Sequence, residues 1–165
     1  MMLYPTYSSG KEVDNLIPEK PEQNYPPDIN DFYLDNAGTI KMHEIACNCG
    51  CHRAMMSKKL FYSWQKLRYG LDKPIVISRG FSCWEHHVKI YQRDYPDDWE
   101  EHLTYHSKHL TGEALDMYPP EGITVDEFAE AAANAGFTYI IKYSWGIHAD
   151  VRPIGRKTPY VKDKG

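Results

Sequence analysis

Two short segments constrain this chain more than any other part of its sequence. Residues 107–117 read Ser-Lys-His-Leu-Thr-Gly-Glu-Ala-Leu-Asp-Met and carry His109 and Asp116. Residues 147–152 read Ile-His-Ala-Asp-Val-Arg and carry His148. Two imidazoles and one carboxylate form a ligand set typical of a catalytic zinc site, which leaves a fourth position for water. We therefore expect His109, Asp116 and His148 to bind one zinc ion.

The residues around these candidate ligands predict two strands. Gly112 permits a turn that a side chain would resist, and the residues after it read as a short strand. The second segment alternates apolar and polar side chains, as a half-buried strand does. His148, Asp150 and Arg152 would then share the face of a cleft, and the apolar residues between them would enter the core.

The rest of the chain predicts a mixture of helices and strands. Apolar spacing indicates a helix over residues 53–69 that ends at Gly70, and Thr124 with Glu127 forms a capping box for a later helix. Further elements are predicted at residues 74–78 (strand), 84–95 (helix), 139–141 (strand) and 146–151 (strand). Without regular alternation of strand and helix, this order favours an α+β fold with a mainly antiparallel sheet flanked by helices.

The spacing of the candidate ligands resembles that of a known family, the zinc D-alanyl-D-alanine carboxypeptidases and endopeptidases. Its signature, S-x-H-x-x-G-x-A-x-D followed by a later His, is matched by Ser107, His109, Gly112, Ala114, Asp116 and His148. The resemblance covers roughly residues 32–152. It implies the hedgehog/DD-peptidase fold, one catalytic zinc ion and action on peptidoglycan stem peptides.

One motif of that family is altered here. Members carry S-G-Y-R-S after the first strand, and its Arg contacts the substrate carboxylate; here the stretch reads Arg-Gly-Phe-Ser-Cys at residues 79–83. Ser82 stands at the position of that Arg and is a candidate substrate contact. Arg79 or Arg152 could hold the carboxylate instead, because a guanidinium binds it in a bidentate manner. The alternative for either Arg is a surface charge or a structural ion pair.

The proton-transfer group is also altered. Members of the family use a Glu three residues before the last His ligand or a His two residues before it; here these positions are Trp145 and Gly146. Asp150 is our candidate for the catalytic base. Its alternative role is to orient a ligand His through the ring nitrogen that does not bind metal. His106 and Glu85 are the next candidates, and His106 could also contact the metal or the substrate.

A separate cluster of thiols lies at Cys47, Cys49 and Cys51. Thiolates favour zinc, so these residues are candidates for a second, structural metal site, although C-x-C-x-C is not the usual knuckle spacing. The alternative is a set of reduced, buried and inert cysteines. In either case we expect no catalytic role.

The ends of the chain differ from its centre. Five prolines among polar residues indicate that residues 1–31 form an extended arm, or else a disordered leader. Residues 32–153 would form the zinc peptidase domain, and residues 154–165 a basic, solvated tail. An insertion at residues 91–105, rich in acidic and aromatic side chains, could form a rim of the cleft or a solvated helical turn.

Composition limits the possible partners. The chain has 165 residues and a net charge of −4, which suits one domain and excludes the basic footprint of nucleic-acid binding. We expect no transmembrane segment, because no apolar run approaches 18 residues, and we expect a monomer. The first residues lack the features of a signal peptide. Synthesis in a cytoplasm is therefore expected, with action on the cell wall after release or as a virion component.

Two functions remain open on these grounds. The first is a zinc metallopeptidase that cleaves peptidoglycan peptides, as a DD- or LD-carboxypeptidase or endopeptidase, from a phage or prophage. The second is a catalytically inactive, zinc-bearing binding or structural module of the same fold. We predict the first function; the altered arginine and base positions are the features in favour of the second.

Overall fold

The computed structural model describes residues 39–155 and 158–165, which form an α+β fold. The predicted arm, residues 1–31, lies outside the described residues. The helices are α1 (Met42–Ile45), α2 (Lys58–Leu71), α3 (Trp84–Asp94), α4 (Trp99–His102) and α5 (Val125–Ala135), with a 3₁₀ helix at Lys108–Thr111. The strands are β1 (Val76–Arg79), β2 (Ala114–Tyr118), β3 (Tyr139–Lys142), β4 (Ile147–Asp150) and β5 (Tyr160–Asp163). None of the described helices has the length and apolar content needed to cross a membrane.

The five strands form one mixed sheet in the order β1-β2-β4-β3-β5. Three neighbouring pairs are antiparallel, and β3 and β5 are parallel. Within the segment predicted as a basic tail, Tyr160–Asp163 add an edge strand to the sheet, and all but Tyr160 of these residues are exposed. Main-chain hydrogen bonds from Tyr160 to Thr138 and from Lys164 to Lys142, both 2.9 Å, fix this edge. Such pairing joins distant residues and has no local sequence pattern.

The core lies between one face of the sheet and the helices α2 and α5. The buried apolar residues include Leu60, Trp64 and Leu67 of α2, Phe128 and Ala132 of α5, and Leu115, Met117, Ile140, Ile147 and Ala149 of the strands. Burial of each large apolar side chain stabilises the fold by roughly 1.5–3 kcal/mol. The intervening residues of β2 and β4 point to the opposite face, as strand alternation requires, and this face carries the candidate metal ligands.

Two helix ends differ from the prediction. Helix α2 begins at Lys58 rather than residue 53, because the Ser57 hydroxyl accepts a hydrogen bond from the Leu60 amide at 3.2 Å and so caps it. It also continues past Gly70 to Leu71 and is capped by Asp72, which has a φ of 49°. By contrast, α3 lies within one residue of its predicted limits, and the predicted capping box of Thr124 and Glu127 is present at the start of α5.

Candidate metal centre

Three elements bring the candidate ligands together. Asp116 on β2 and His148 on β4 are direct cross-strand partners, so their side chains leave the same face of the sheet side by side. His109 comes from the 3₁₀ helix that precedes β2. Gly112 ends that helix with a φ of 63°, and a Cβ there would lie 2.5 Å from the carbonyl oxygen of Met55. Only glycine permits both the turn and this close approach.

The three donor atoms form a small triangle. The Nε2 of His109 lies 3.2 Å from Oδ1 of Asp116 and 3.2 Å from Nδ1 of His148. The Nδ1 of His148 lies 2.8 Å from the same Asp116 oxygen. Nitrogen and oxygen ligands of a tetrahedral zinc ion lie about 3.3 Å from one another. The predicted set of His109, Asp116 and His148 therefore has the size and donor chemistry of a metal site.

Neighbouring acceptors set the orientation of both imidazoles. The Nδ1–H of His109 donates to the carbonyl oxygen of Gly80 at 2.7 Å, and the Nε2–H of His148 donates to Oδ2 of Asp150 at 3.1 Å. In a neutral ring the other nitrogen then carries a lone pair. Both lone pairs point toward the carboxylate of Asp116. Three electron donors thus face one another, which is the arrangement that binds a cation.

The pKa values of the candidate ligands also indicate that the site favours a positive charge. Burial lowers the pKa of His148, but hydrogen bonds to Asp116 and Asp150 outweigh this effect and raise the pKa to about 9. Burial also opposes ionisation of Asp116, yet the two histidines hold its pKa far below the ordinary value. Burial lowers the pKa of His109. The site therefore favours one positive charge, carried by a proton or a metal ion, beside an ionised Asp116.

Asp150 lies behind His148 and away from the triangle. Its residue is 0% exposed, and both of its carboxylate oxygens accept hydrogen bonds from the guanidinium of Arg152. That guanidinium also lies 3.8 Å from the ring centroid of Tyr139. The position of Asp150 favours the orienting role over the role of catalytic base, because the ring of His148 separates it from the other two ligands. Arg152 is correspondingly occupied as the partner of Asp150.

Arg79 lies on the other side of the same site. A register shift in the pairing of β1 with β2 places Arg79 opposite the ligand Asp116. Such bulges re-aim side chains beside functional sites. The Nε of Arg79 donates to the buried Ser82 hydroxyl at 2.8 Å, and Nη2 donates to Nδ1 of His87 at 3.2 Å. Ser82 thus contacts Arg79, and strand pairing brings this Arg beside Asp116.

His87 supports this arginine and was not recognised in the sequence. Its Nε2–H donates to the carbonyl oxygen of Thr104 at 2.8 Å, which leaves Nδ1 as the acceptor for Arg79. Burial lowers the pKa of His87 to about 4, and the charge of Arg79 acts in the same direction. His87 is therefore neutral at pH 7. His87 lies in the first turn of α3, and no local sequence pattern there indicates that it supports an arginine.

The remaining candidates lie elsewhere. Glu85 forms an ion pair with Arg53 at 2.7 Å, and His106 is exposed and outside the group of His109, Asp116 and His148. The insertion at residues 91–105 contains the end of α3 and helix α4, joined by a turn. Its aromatic side chains stack on one another, with ring centroids 4.0 Å apart for Tyr95 and His102.

The structure also brings the cysteines together. Cys47, Cys49 and Cys51 lie in the loop after α1, and Cys83 at the start of α3 joins them. Each contributes a sulfur, and all four sulfurs lie within 4.8 Å of one another. The described residues thus contain two groups that could hold a metal ion. The sequence indicated the first three thiols but not the fourth, which is distant along the chain.

No protein-family model matches this chain, and no curated protein matches it significantly.

Proposed function

We propose that this chain is a zinc-dependent peptidase that hydrolyses peptidoglycan stem peptides. The observation that carries the proposal is the triangle of His109, Asp116 and His148, with both imidazoles oriented by hydrogen bonds from the side away from the site. Three protein ligands of mixed nitrogen and oxygen type are typical of catalytic zinc. A zinc ion held there would supply Lewis acidity toward a peptide carbonyl and toward water.

The position of Arg79 supports a substrate with a free carboxylate. Its guanidinium is held by neutral partners, Ser82 and His87, and within the described part of the chain it forms no ion pair with a carboxylate. A positive charge beside the metal ligands suits a terminal D-alanine or the acid group of diaminopimelate, since a guanidinium binds carboxylates in a bidentate manner. Of the three candidate substrate contacts, we assign the carboxylate to Arg79, while Ser82 positions it.

Asp150 and Arg152 have a supporting role in this proposal. Asp150 accepts a hydrogen bond from the Nε2–H of His148, and Arg152 keeps that carboxylate ionised and in place. Partners of metal-bound histidines increase the basicity of the ligand and fix its ring. In this scheme the pair raises metal affinity and does not move a proton during the reaction.

Digestion of purified peptidoglycan tests the proposal. The zinc-loaded full chain is incubated with muropeptides, and the products are identified by mass spectrometry. We expect either muropeptides shortened by one terminal D-amino acid or cross-linked muropeptides cut next to a D-amino acid. The activity should disappear in His148→Ala and persist in His102→Ala, a matched control at an exposed histidine of α4. For this activity the protein would have to reach the cell wall, either after release from the cytoplasm or as a component of a virion.

One observation favours the second function, an inactive zinc-bearing binding module. Both carboxylates considered for proton transfer, Glu85 and Asp150, are engaged by Arg53 and Arg152. General acid–base catalysis needs a group within hydrogen-bond reach of the reacting proton. If the zinc-loaded chain cleaves no muropeptide but still binds it, the binding function replaces the peptidase.

A further inference from the structure

The four cysteine sulfurs have the spacing of a tetrahedral metal site. The Sγ atoms of Cys47 and Cys49 lie 3.4 Å apart, and those of Cys49 and Cys83 lie 3.6 Å apart. With zinc–sulfur bonds near 2.3 Å, the sulfurs of a tetrahedral site lie about 3.8 Å from one another. A disulfide would require about 2.05 Å between two of them. The cluster therefore matches four separate ligands better than two covalent pairs.

The groups around the cluster donate to its sulfurs. The Cys83 amide donates to Cys47 at 3.3 Å, the His86 amide donates to Cys83 at 3.4 Å, and Nε of Arg53 donates to Cys51 at 3.4 Å. N–H groups and a guanidinium stabilise the thiolate form, which is the form that binds metals. Similar donors to the sulfurs tune metal centres held by cysteine.

We propose that Cys47, Cys49, Cys51 and Cys83 bind a structural zinc ion. Three thiols from one loop and one thiol from the start of α3 make a closed set of four, as in structural rather than catalytic zinc sites. Cys47 and Cys83 are buried, whereas Cys49 is exposed, so the metal can enter from the side of Cys49. This inference does not depend on the proposed function.

The zinc ion would join the loop after α1 to the segment that supports the candidate metal centre. Cys83 follows directly after Gly80, Phe81 and Ser82, and the Phe81 amide donates to the carbonyl oxygen of Ile45 at 2.8 Å. The side chain of Asn48 donates to the carbonyl oxygen of Ser78 at 2.9 Å. The same segment supplies the carbonyl group that orients His109. The thiol site thus braces the polypeptide that fixes one ligand of the first site.

Release of zinc by thiol modification tests the proposal on the unaltered chain. The purified, fully reduced protein is titrated with an organomercurial in the presence of a chromogenic zinc chelator. We expect release of about one zinc ion per chain as the four thiols react. His109→Ala is the matched control, because it removes a ligand of the other site and should release the same amount. Reaction of all four thiols without zinc release would overturn the proposal.

A variant gives a second, independent measurement. Cys49→Ser removes the exposed ligand, and we expect its metal content to fall by about one zinc ion per chain relative to the parent. If this variant does not fold, the mercurial titration of the parent chain decides. A mass spectrum of the native chain that shows two cysteines joined in a disulfide would also contradict the proposal.

Discussion

The Nδ1 of His109 lies 2.7 Å from the carbonyl oxygen of Gly80. This hydrogen bond directs Nε2 of the imidazole toward Asp116, so the position of Gly80 determines where one metal ligand points. Gly80 itself packs against the main chain of Ile45, where an added Cβ would lie 2.6 Å from Cα. The first metal site therefore depends on close main-chain packing outside it.

Gly80→Ala tests this dependence. The new methyl group would overlap the main chain of Ile45, so the segment must shift and move the acceptor of His109. We expect a loss of about 1–3 kcal/mol in the free energy of unfolding, as for other overpacked sites, together with weaker zinc binding. Chemical denaturation and zinc competition titration measure the two effects.

Gly70→Ala is the matched control for this change. Gly70 lies near the end of α2, and a Cβ there meets nothing within 4 Å. Alanine in a helix is more stable than glycine by roughly 0.5–1 kcal/mol, so this variant should be as stable as the parent or more so. Equal losses in the two variants would contradict the packing argument.

Asp150→Asn tests the orienting role of the buried carboxylate. The amide keeps the shape of the side chain but leaves Arg152 without an ionised partner. Removing one partner of a fully buried pair costs about 3–5 kcal/mol; we expect on the order of 2–3 kcal/mol, because the side chain of Arg152 is 34% exposed. Zinc affinity should fall about 10–100-fold. Calorimetry of zinc binding and denaturant unfolding provide the readouts.

Asp126→Asn provides the comparison. Asp126 also pairs with a cation, Lys142, but its side chain is 80% exposed. Exposed pairs contribute little to stability, so neither the unfolding transition nor the zinc affinity should change measurably.

If Asp150 were the catalytic base, Asp150→Asn would instead lower kcat and leave the zinc affinity unchanged.

Arg79→Lys tests the assignment of the substrate carboxylate. Lysine keeps the charge but loses the planar fork that binds two oxygens. For a peptide with a free carboxylate, we expect KM to rise about 10–100-fold, whereas the same peptide with an amidated end should respond little. Arg93→Lys, at an exposed side chain of α3, should leave both KM values unchanged. An equal effect on both peptides would remove the carboxylate from the assignment.

Local patterns predicted the parts of the site that depend on neighbouring residues. The alternation in residues 147–152 placed His148 and Asp150 on one face, and the structure confirms that the alternating apolar residues Ile147, Ala149 and Val151 are buried. The turn at Gly112 and the capping box at Thr124 are likewise local features, and both are present. Such features are readable because each depends only on residues a few positions apart.

Features that join distant segments were not predictable in this way. The register shift that brings Arg79 to Asp116 arises from the pairing of two strands, and the support of His87 arises from the position of Thr104. Cys83 meets the other thiols because hydrogen bonds such as that between Phe81 and Ile45 join the two distant segments. Pairing, packing and the parallel edge strand are tertiary effects that a local sequence pattern does not contain.

The zinc content of ligand variants tests the central claim most directly. Purified parent chain, His109→Ala and His102→Ala are dialysed against buffer with trace zinc, and the metal is counted by mass spectrometry against protein concentration, after circular dichroism confirms the fold. We predict that His109→Ala contains about one zinc ion fewer than the parent and that His102→Ala contains the same amount. Equal zinc content in the parent and in His109→Ala would contradict the account.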